Sequence, residues 1–226
     1  MPENQGHGKT WEKDLGLNVY KATQEELDTV SHTAPIDIPS KFNRIDGIDI
    51  SIKTSGNNII DMSDVVRVFD EVSNDQKFHM TVVHWEKKDE TTKKLKSITE
   101  VDLTKSVTLL FGTVTRDQLV ELVKITKAVG KVRPDVSAEQ RASQISSAYT
   151  MRDELHKISG IMHFHLMFYT NNPSRVQGQF TQFSNFVKEN SERLIARSEN
   201  GEFRGGKITE EIASPPRQRK KALAPR

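Results

Sequence analysis

The chain has 226 residues, of which 35% are hydrophobic, 28% are charged and none is cysteine. The lack of cysteine excludes disulfides, cysteine-ligated zinc, iron–sulfur clusters and thiol nucleophiles, and it agrees with a reducing, cytoplasmic location. No run approaches the roughly 18 apolar residues of a membrane span, and residues 1–14 lack a signal-peptide core, so we expect no membrane partner. The formal net charge of +2 excludes strong attraction of the whole molecule to nucleic acid, so such binding would depend on local patches.

The first predicted elements are two helices. Residues 10–20 carry apolar side chains four positions apart, which predicts an amphipathic helix. Residues 23–30 predict a shorter second helix, because Thr23 and Glu26 have the spacing of a capping box.

The strongest strand signal lies in residues 45–54. Three isoleucines alternate there with three polar residues, so apolar side chains face one side of the strand and polar ones the other. A turn at 56–58 then precedes a predicted helix at 64–72, which Asp61 or Ser63 can cap. The polar residues of the strand are Asp49, Ser51 and Lys53.

The remaining pattern predicts three strands, at 78–85, 97–103 and 162–169. It also predicts three helices: one that begins after Thr115, one at 138–158 and one at 179–196. These elements predict an α/β fold with a mixed central sheet flanked by helices and with a C-terminal helical region. We expect one domain over residues 1–212. A basic, disordered tail is expected at 213–226, which could act as a solubility tail, a DNA-tracking arm or a localisation signal.

Asp37 and the tripeptide Ser51-Ile52-Lys53 carry the main chemical signal. The carboxylate precedes the tripeptide by 13 intervening residues. This arrangement resembles the active-site hairpin of the PD-(D/E)XK nuclease superfamily, whose type II restriction endonucleases place an Asp on one strand and an acidic-x-Lys tripeptide on the next. In the family, carboxylates hold Mg²⁺ at the scissile phosphate and the lysine orients or activates the water nucleophile. The resemblance therefore implies a restriction endonuclease-like fold and Mg²⁺-dependent, sequence-specific cleavage of DNA.

The chain departs from this pattern at Ser51, where the family has its second acid. Some restriction enzymes have a serine there and supply the missing carboxylate from the following helix. The resemblance thus implies Asp64 as a metal ligand beside Asp37. Asp61 and Asp49 are its alternatives.

Two other segments add to the resemblance. The segment that ends at Glu12 looks like the opening helix of such nucleases, in which a Glu joins the metal site. The resemblance therefore gives Glu12 both a metal-binding and a catalytic role, beside the catalytic residues Asp37, Ser51 and Lys53. Residues 172–177 resemble an Arg-(Val/Leu)-Gln segment that follows a late strand in some restriction enzymes.

Each of these residues also has a purely structural interpretation. Asp37 lies between two prolines, where an Asp can cap a turn. Asp64 can serve only as a first-turn carboxylate of a helix. Lys53 and Glu12 can face solvent on an edge strand and on a helix.

Basic and amide side chains around the sheet are candidates for binding double-stranded DNA. Lysines suit contacts with phosphate, whereas Arg and Gln have the geometry to read guanine and adenine edges. A run of charge can also be a solvated turn. The resemblance further implies a homodimer, in which two active sites meet two strands. The DNA-binding candidates are Lys93, Lys94, Arg175, Gln177 and Gln179.

His163 and His165 alternate along the last predicted strand. A His-x-His pair can bind zinc, but no third ligand stands at a recognisable spacing. The pattern therefore favours a polar sheet face or a contact with phosphate or base.

Three functions remain open from the sequence. The first is a Mg²⁺-dependent, sequence-specific endodeoxyribonuclease of the type II restriction enzyme kind. The second is a non-catalytic DNA-binding or virion-associated structural protein with a degenerate nuclease fold, which agrees with Ser51 in place of an acid. The third is a protein-interaction domain with no role on nucleic acid.

Overall fold

The structure, a computed structural model, describes residues 6–31, 36–129, 136–160, 163–169 and 172–214. Within these residues, no helix is both long and apolar enough to cross a membrane. The helices are α1 (Gly6–Asp14), α2 (Gln24–Asp28), α3 (Val65–Ser73), α4 (Val107–Phe111), α5 (Arg116–Val129), α6 (Ala138–Ser159) and α7 (Phe183–Glu189). The strands are β1 (Asp49–Ser55), β2 (Ile60–Asp64), β3 (Phe78–Lys87), β4 (Thr92–Asp102), β5 (Phe164–Tyr169), β6 (Asn172–Phe180), β7 (Leu194–Ser198), β8 (Glu202–Phe203), β9 (Gly206–Lys207) and β10 (Glu211–Ala213).

A five-stranded mixed sheet, here called sheet A, forms the larger layer. β1 runs parallel to β3, whereas β3 and β4 are antiparallel, and β4 also pairs with β7 and β10. β1 lies at one edge, where Ile38 adds an isolated antiparallel bridge to Ile50. The prediction of a mixed α/β fold with a mixed sheet and flanking helices is therefore confirmed at this level.

A second sheet, sheet B, consists of β2, β6 and β5 in antiparallel order. β2 begins shortly after the turn at 56–58 and pairs with β6 rather than with β1. The paired strands β8 and β9 form a short hairpin near the end of the described chain.

Two apolar cores cover opposite faces of sheet A. Because side chains alternate along a strand, Met80 and Val82 of β3 join one core, whereas Val83 joins the other. The second core also receives Ile50 and Ile52 of β1, which is the alternation that the sequence predicted. The polar residues between these isoleucines consequently face the first core, on which the helices α3, α5 and α7 pack.

Helix starts follow the predicted capping chemistry with one difference. Thr23 and Glu26 form the expected reciprocal capping box of α2, and Thr115 with Gln118 does the same before α5. The helix after β2 is instead capped by Asp64, whose carboxylate accepts hydrogen bonds from the backbone of the first turn of α3. The sequence had offered Asp61 or Ser63 for that position.

The prediction of a C-terminal helical region is wrong. Residues 179–196 were expected to form one helix, but they contain the end of β6, the short helix α7, a 3₁₀ turn at Ser191–Arg193 and the start of β7. β7 and β10 complete sheet A instead. Ala213 belongs to β10, so the described fold extends past the predicted boundary at 212. The basic tail, residues 215–226, lies outside the described residues.

A buried carboxylate connects the ends of this fold. Glu100 of β4 has no exposed surface. Arg204, in the turn between β8 and β9, donates to both of its oxygens at 3.0 and 3.1 Å. The Tyr20 hydroxyl donates to the same carboxylate at 3.1 Å, and His79 Nδ1 lies 2.8 Å from it. The network therefore fastens the N-terminal segment and the C-terminal hairpin to the middle of sheet A.

We expect Arg204→Met to destabilise the protein by about 3–5 kcal/mol, because it leaves Glu100 buried without its cation. The matched control is Arg116→Met, since Arg116 forms a shorter but exposed pair with Asp70, at 2.7 Å against 3.0 Å for Arg204 and Glu100. Its loss should cost less than about 1 kcal/mol. Urea unfolding measures both values. Equal losses in the two variants would contradict the role of the network.

Candidate functional site

The candidate site forms where Asp37 meets the exposed edge of β1. Asp37 Oδ2 accepts a hydrogen bond from the Ile52 backbone N–H at 2.6 Å and from Ser51 Oγ at 3.3 Å. The carboxylate thus takes the position that a carbonyl of a neighbouring strand would occupy, directly after the bridge between Ile38 and Ile50. An Asp at this position ends the strand pairing and places a negative charge at the sheet edge.

Lys53 places a positive charge beside this carboxylate. Its Nζ lies 3.6 Å from Asp37 Oδ2 and donates to the Ile52 carbonyl at 3.1 Å. The side chains of Lys53 and Asp37 are 17% and 29% exposed, so both can reach solvent or a ligand. Ser51, the first residue of the tripeptide, is buried.

Glu12 comes to the same place from α1. The neighbouring Trp11 is fully buried in the second core and donates its indole N–H to the Thr209 carbonyl at 2.9 Å, which fixes the rotation of the helix. Burial, and then the negative charge of Asp37, raise the pKa of the Glu12 carboxyl from 4.5 to about 7, against the opposing charges of Lys53 and Lys9. Glu12 is therefore within electrostatic reach of both other residues.

Two carboxylates and one ammonium thus converge from three separate segments of the chain. Carboxylate oxygens are the ligands that Mg²⁺ prefers, and Mg²⁺ is commonly held by one or two carboxylates together with waters and substrate phosphates. Burial is the main cause of the raised pKa of Glu12 and the charge of Asp37 adds to it, so a bound cation would favour the ionised form of both carboxylates. The residues present therefore fit Mg²⁺.

The three aspartates considered as a replacement for the missing acid each have another partner. Asp64, at the end of β2 in sheet B, caps α3. Asp61 accepts a hydrogen bond from Gln179 Nε2 at 2.6 Å, and Asp49 accepts one from the Ser40 backbone at 2.5 Å. Across the described parts of the chain, no group of three or more His, Asp or Glu residues is arranged to hold a metal. The structure thus brings Glu12, Asp37, Ser51 and Lys53 together without Asp64.

The lysines predicted to bind DNA differ in their surroundings. Lys93 is buried, with Nζ 3.5 Å from the centre of the Trp85 ring, and burial lowers its pKa. Lys94, next to it on β4, is exposed. Only the second is open to a phosphate group in this structure.

The other DNA-binding candidates lie on β6 of sheet B. Gln179 is buried and donates to Asp61, so its amide is already used inside the protein. Arg175 is exposed and Gln177 is half-buried. Sheet B therefore presents two of its three candidates to solvent.

The histidine pair has structural partners. His163 Nε2 lies 2.8 Å from Glu189 Oε2, and the ring of His165 lies 5.1 Å from that of His156. Burial lowers the pKa of His156 to about 4, and its Nε2 accepts the Leu166 backbone N–H at 2.8 Å. These contacts inside the protein agree with the interpretation of this strand as a polar sheet face.

Sequence reasoning missed a cavity of about 390 Å³ on sheet A. Its walls come from the turn after β1, from β3 and β4, from β7 and from α7. Arg197 of β7 lines it, but the predicted helix over 179–196 concealed this strand. The break at Asn190, where α7 ends, is the signal that could have revealed it.

Comparison of the chain with protein-family models, with curated proteins and with solved structures found no match. The resemblance to nucleases therefore depends on the residues of this chain alone. Those residues are Glu12, Asp37, Ser51 and Lys53, and the structure gathers them at one edge of sheet A.

Glu12 makes stability depend on pH in a specific direction. In the folded protein its carboxyl keeps a proton up to about pH 7, whereas the unperturbed value is 4.5. Between these values the folded state binds more protons than the unfolded state, so this group makes the free energy of unfolding fall as pH rises, by at most about 1.4 kcal/mol per pH unit.

We expect Glu12→Gln to remove this component of the pH profile, as measured by urea unfolding from pH 4 to pH 8. Glu202→Gln, at an exposed position of β8, should keep the wild-type profile. Added Mg²⁺ should stabilise the wild-type protein above pH 7 more than the Glu12→Gln protein. Parallel profiles for wild type and Glu12→Gln would contradict the assignment.

Proposed function

We propose that the protein is a Mg²⁺-dependent endodeoxyribonuclease that hydrolyses phosphodiester bonds of double-stranded DNA at specific sequences, in the manner of type II restriction enzymes. The observation that carries the proposal is the convergence of Glu12, Asp37 and Lys53 at the edge of β1. Two carboxylates beside a lysine form the charge pattern that phosphodiester hydrolysis with a hard cation requires.

Each residue has a distinct role in this proposal. Asp37 and Glu12 would hold Mg²⁺, and Glu12 must lose its proton to do so, which its pKa of about 7 allows at neutral pH and above. When bound, the ion would supply a water of lowered pKa and stabilise negative charge on the phosphate. Lys53, held by the Ile52 carbonyl and close to Asp37, is placed to donate a hydrogen bond to the water or to a phosphate oxygen.

DNA would then approach the edge of sheet A from the solvent side. Lys94, Arg175 and Gln177 are the predicted contacts that remain exposed or half-exposed. A homodimer would give each DNA strand one active site, as the resemblance implies. The tail at 215–226 adds positive charge to the chain, which favours contact with phosphates.

A second function has one specific observation in its favour. Ser51 stands where the family has an acid, and the described residues supply no third carboxylate to the Glu12–Asp37 pair. A non-catalytic DNA-binding or virion-associated structural protein with a degenerate nuclease fold would show this same gap. Such a protein would retain DNA at low salt without cutting it.

The decisive experiment incubates the purified protein with unmethylated plasmid DNA and Mg²⁺. We expect discrete fragments from the wild-type protein and a loss of cleavage of about 10²-fold or more from Lys53→Ala and from Asp37→Asn. Asp37→Asn keeps an acceptor for the Ile52 N–H while it removes the charge. Both variants should fold and still bind DNA in a filter-retention assay.

Matched controls separate the site from general effects of charge. Lys127→Ala and Asp117→Asn change exposed residues of α5 and should cleave at the wild-type rate. Wild-type cleavage by both site variants would disprove the proposal. Salt-sensitive retention of DNA by a wild-type protein that never cuts would favour the second function.

A further inference from the structure

The cavity on sheet A combines aromatic and cationic walls. His84 and Trp85 of β3 supply half-buried rings, whereas Phe183 of α7, whose ring lies 5.9 Å from that of His84, is almost fully buried in the first core. Lys96 of β4 and Arg197 of β7 supply positive charge. A volume of about 390 Å³ falls within the range of cavities that hold small organic ligands.

Strand register places the Thr99 and Arg197 walls of this cavity on the same face of sheet A as Lys53. Lys53 pairs with Val82, Val82 pairs with Thr99, and Thr99 pairs with Arg197. These residues form one row across four strands, and residues paired across strands share a face. The row is about 14 Å long, since neighbouring strands lie about 4.8 Å apart. Lys53 and Arg197 therefore stand at the two ends of one line, with the cavity at the Arg197 end.

Two cations and one carboxylate, Glu86, line the cavity, so the charge of its walls is positive on balance. Burial, and then the charges of Arg197 and Lys96, lower the pKa of the His84 imidazole. Lys96 is exposed and forms no ion pair with any residue that the structure describes. Arg197 pairs with Glu199 at 3.0 Å, but both side chains are more than half exposed. Such an exposed pair is weak and can be exchanged for a stronger anion.

We propose that this cavity binds one nucleotide of the DNA substrate, turned out of its stack, with its phosphate on Arg197 and Lys96 and its base against His84 and Trp85. This inference rests on the proposed nuclease function, because it assigns a second contact to the same DNA substrate, at a distance from Lys53. Polar groups of β4, at Ser97 and Thr99, border the cavity and offer hydrogen bonds to a base edge. Enzymes that turn out a base hold it in this way, by stacking and edge contacts.

Binding of single nucleotides to the full chain tests the proposal without requiring cleavage. The probes are the four deoxynucleoside 5′-monophosphates, titrated calorimetrically. We expect saturable binding by the wild-type protein and about tenfold weaker binding by Arg197→Gln and by Lys96→Gln, because each removes a charge-assisted contact to phosphate. Lys188→Gln is the matched control, since it removes an exposed cation of α7 that does not line the cavity.

Tryptophan fluorescence gives a second measurement. The chain has two tryptophans; Trp11 is fully buried in the second core, whereas Trp85 lines the cavity. Nucleotide binding should therefore quench the fluorescence of Trp85, and Trp85→Phe should abolish this quenching. Inorganic phosphate should bind more weakly than any nucleotide. Equal affinity for phosphate alone would overturn the assignment of a nucleotide and leave a simple anion site.

The outcomes distinguish this inference from the nuclease proposal. Lys53→Ala should lose cleavage and keep nucleotide affinity, which supports both. Cleavage by a wild-type protein that binds no nucleotide, or binds it equally well after Arg197→Gln and Lys96→Gln, overturns the cavity assignment alone. Nucleotide binding by a wild-type protein that never cuts overturns the nuclease function and supports the cavity as a nucleotide site of a DNA-binding protein.

Discussion

The burial of the Glu100 carboxylate is the constraint on which the arrangement of sheet A depends. An ion taken out of water costs several kcal/mol unless a counter-charge and hydrogen bonds accompany it, and Glu100 has no exposed surface. Arg204 supplies the charge, and Tyr20 supplies a further hydrogen bond. The chain must therefore return to β4 after β7, so that Arg204 reaches Glu100. This return also holds β7 beside β4. Because Arg197 lies on β7, the cationic wall of the cavity depends on a contact at a different face of the sheet.

A second constraint lies at the free edge of β1. An unpaired edge strand exposes backbone groups that invite pairing with another chain. Asp37 satisfies the Ile52 N–H with a carboxylate rather than with another strand. The same atom group that ends the sheet also attracts Lys53 and raises the pKa of Glu12. Asp37 thus both ends the strand pairing of sheet A and supplies charge to the candidate site. A substitution that removes this charge but keeps a hydrogen-bond acceptor, such as Asp37→Asn, separates the two roles.

Local signals in the sequence were sufficient for the parts of the fold that depend on neighbouring residues. The alternation around Ile50 and Ile52, the capping box of Thr23 and the long helix α6 follow from spacings of two to four residues, and all three are present. The candidate site of Glu12, Asp37 and Lys53 came from a resemblance rather than from any local spacing, and the roles that the resemblance gives these residues stay predictions.

The failures have a common physical cause, which is pairing between distant residues. Phe180, Phe183 and Val187 have helical spacing, yet Phe180 ends a strand because β6 pairs with both β2 and β5. Arg204 and Glu100 are 104 positions apart, so no window of sequence reveals their contact. β7 could not be recognised as a strand for the same reason, since its partner β4 lies about a hundred residues earlier in the chain.

Carboxylates lie near Lys53 and cations lie near Arg197, at opposite ends of one row of the sheet. This separation explains how a chain with a small net charge can hold both groups. A cation site needs excess carboxylate, as at Glu12 and Asp37, whereas a phosphate site needs excess ammonium or guanidinium, as at Lys96 and Arg197. If these groups were adjacent, they would pair with each other and neither excess would survive. The row holds Lys53, beside Asp37, about 14 Å from Arg197, which is too far for an ion pair between the two ends. A chain with a net charge of only +2 can therefore keep the two proposed sites of opposite charge apart.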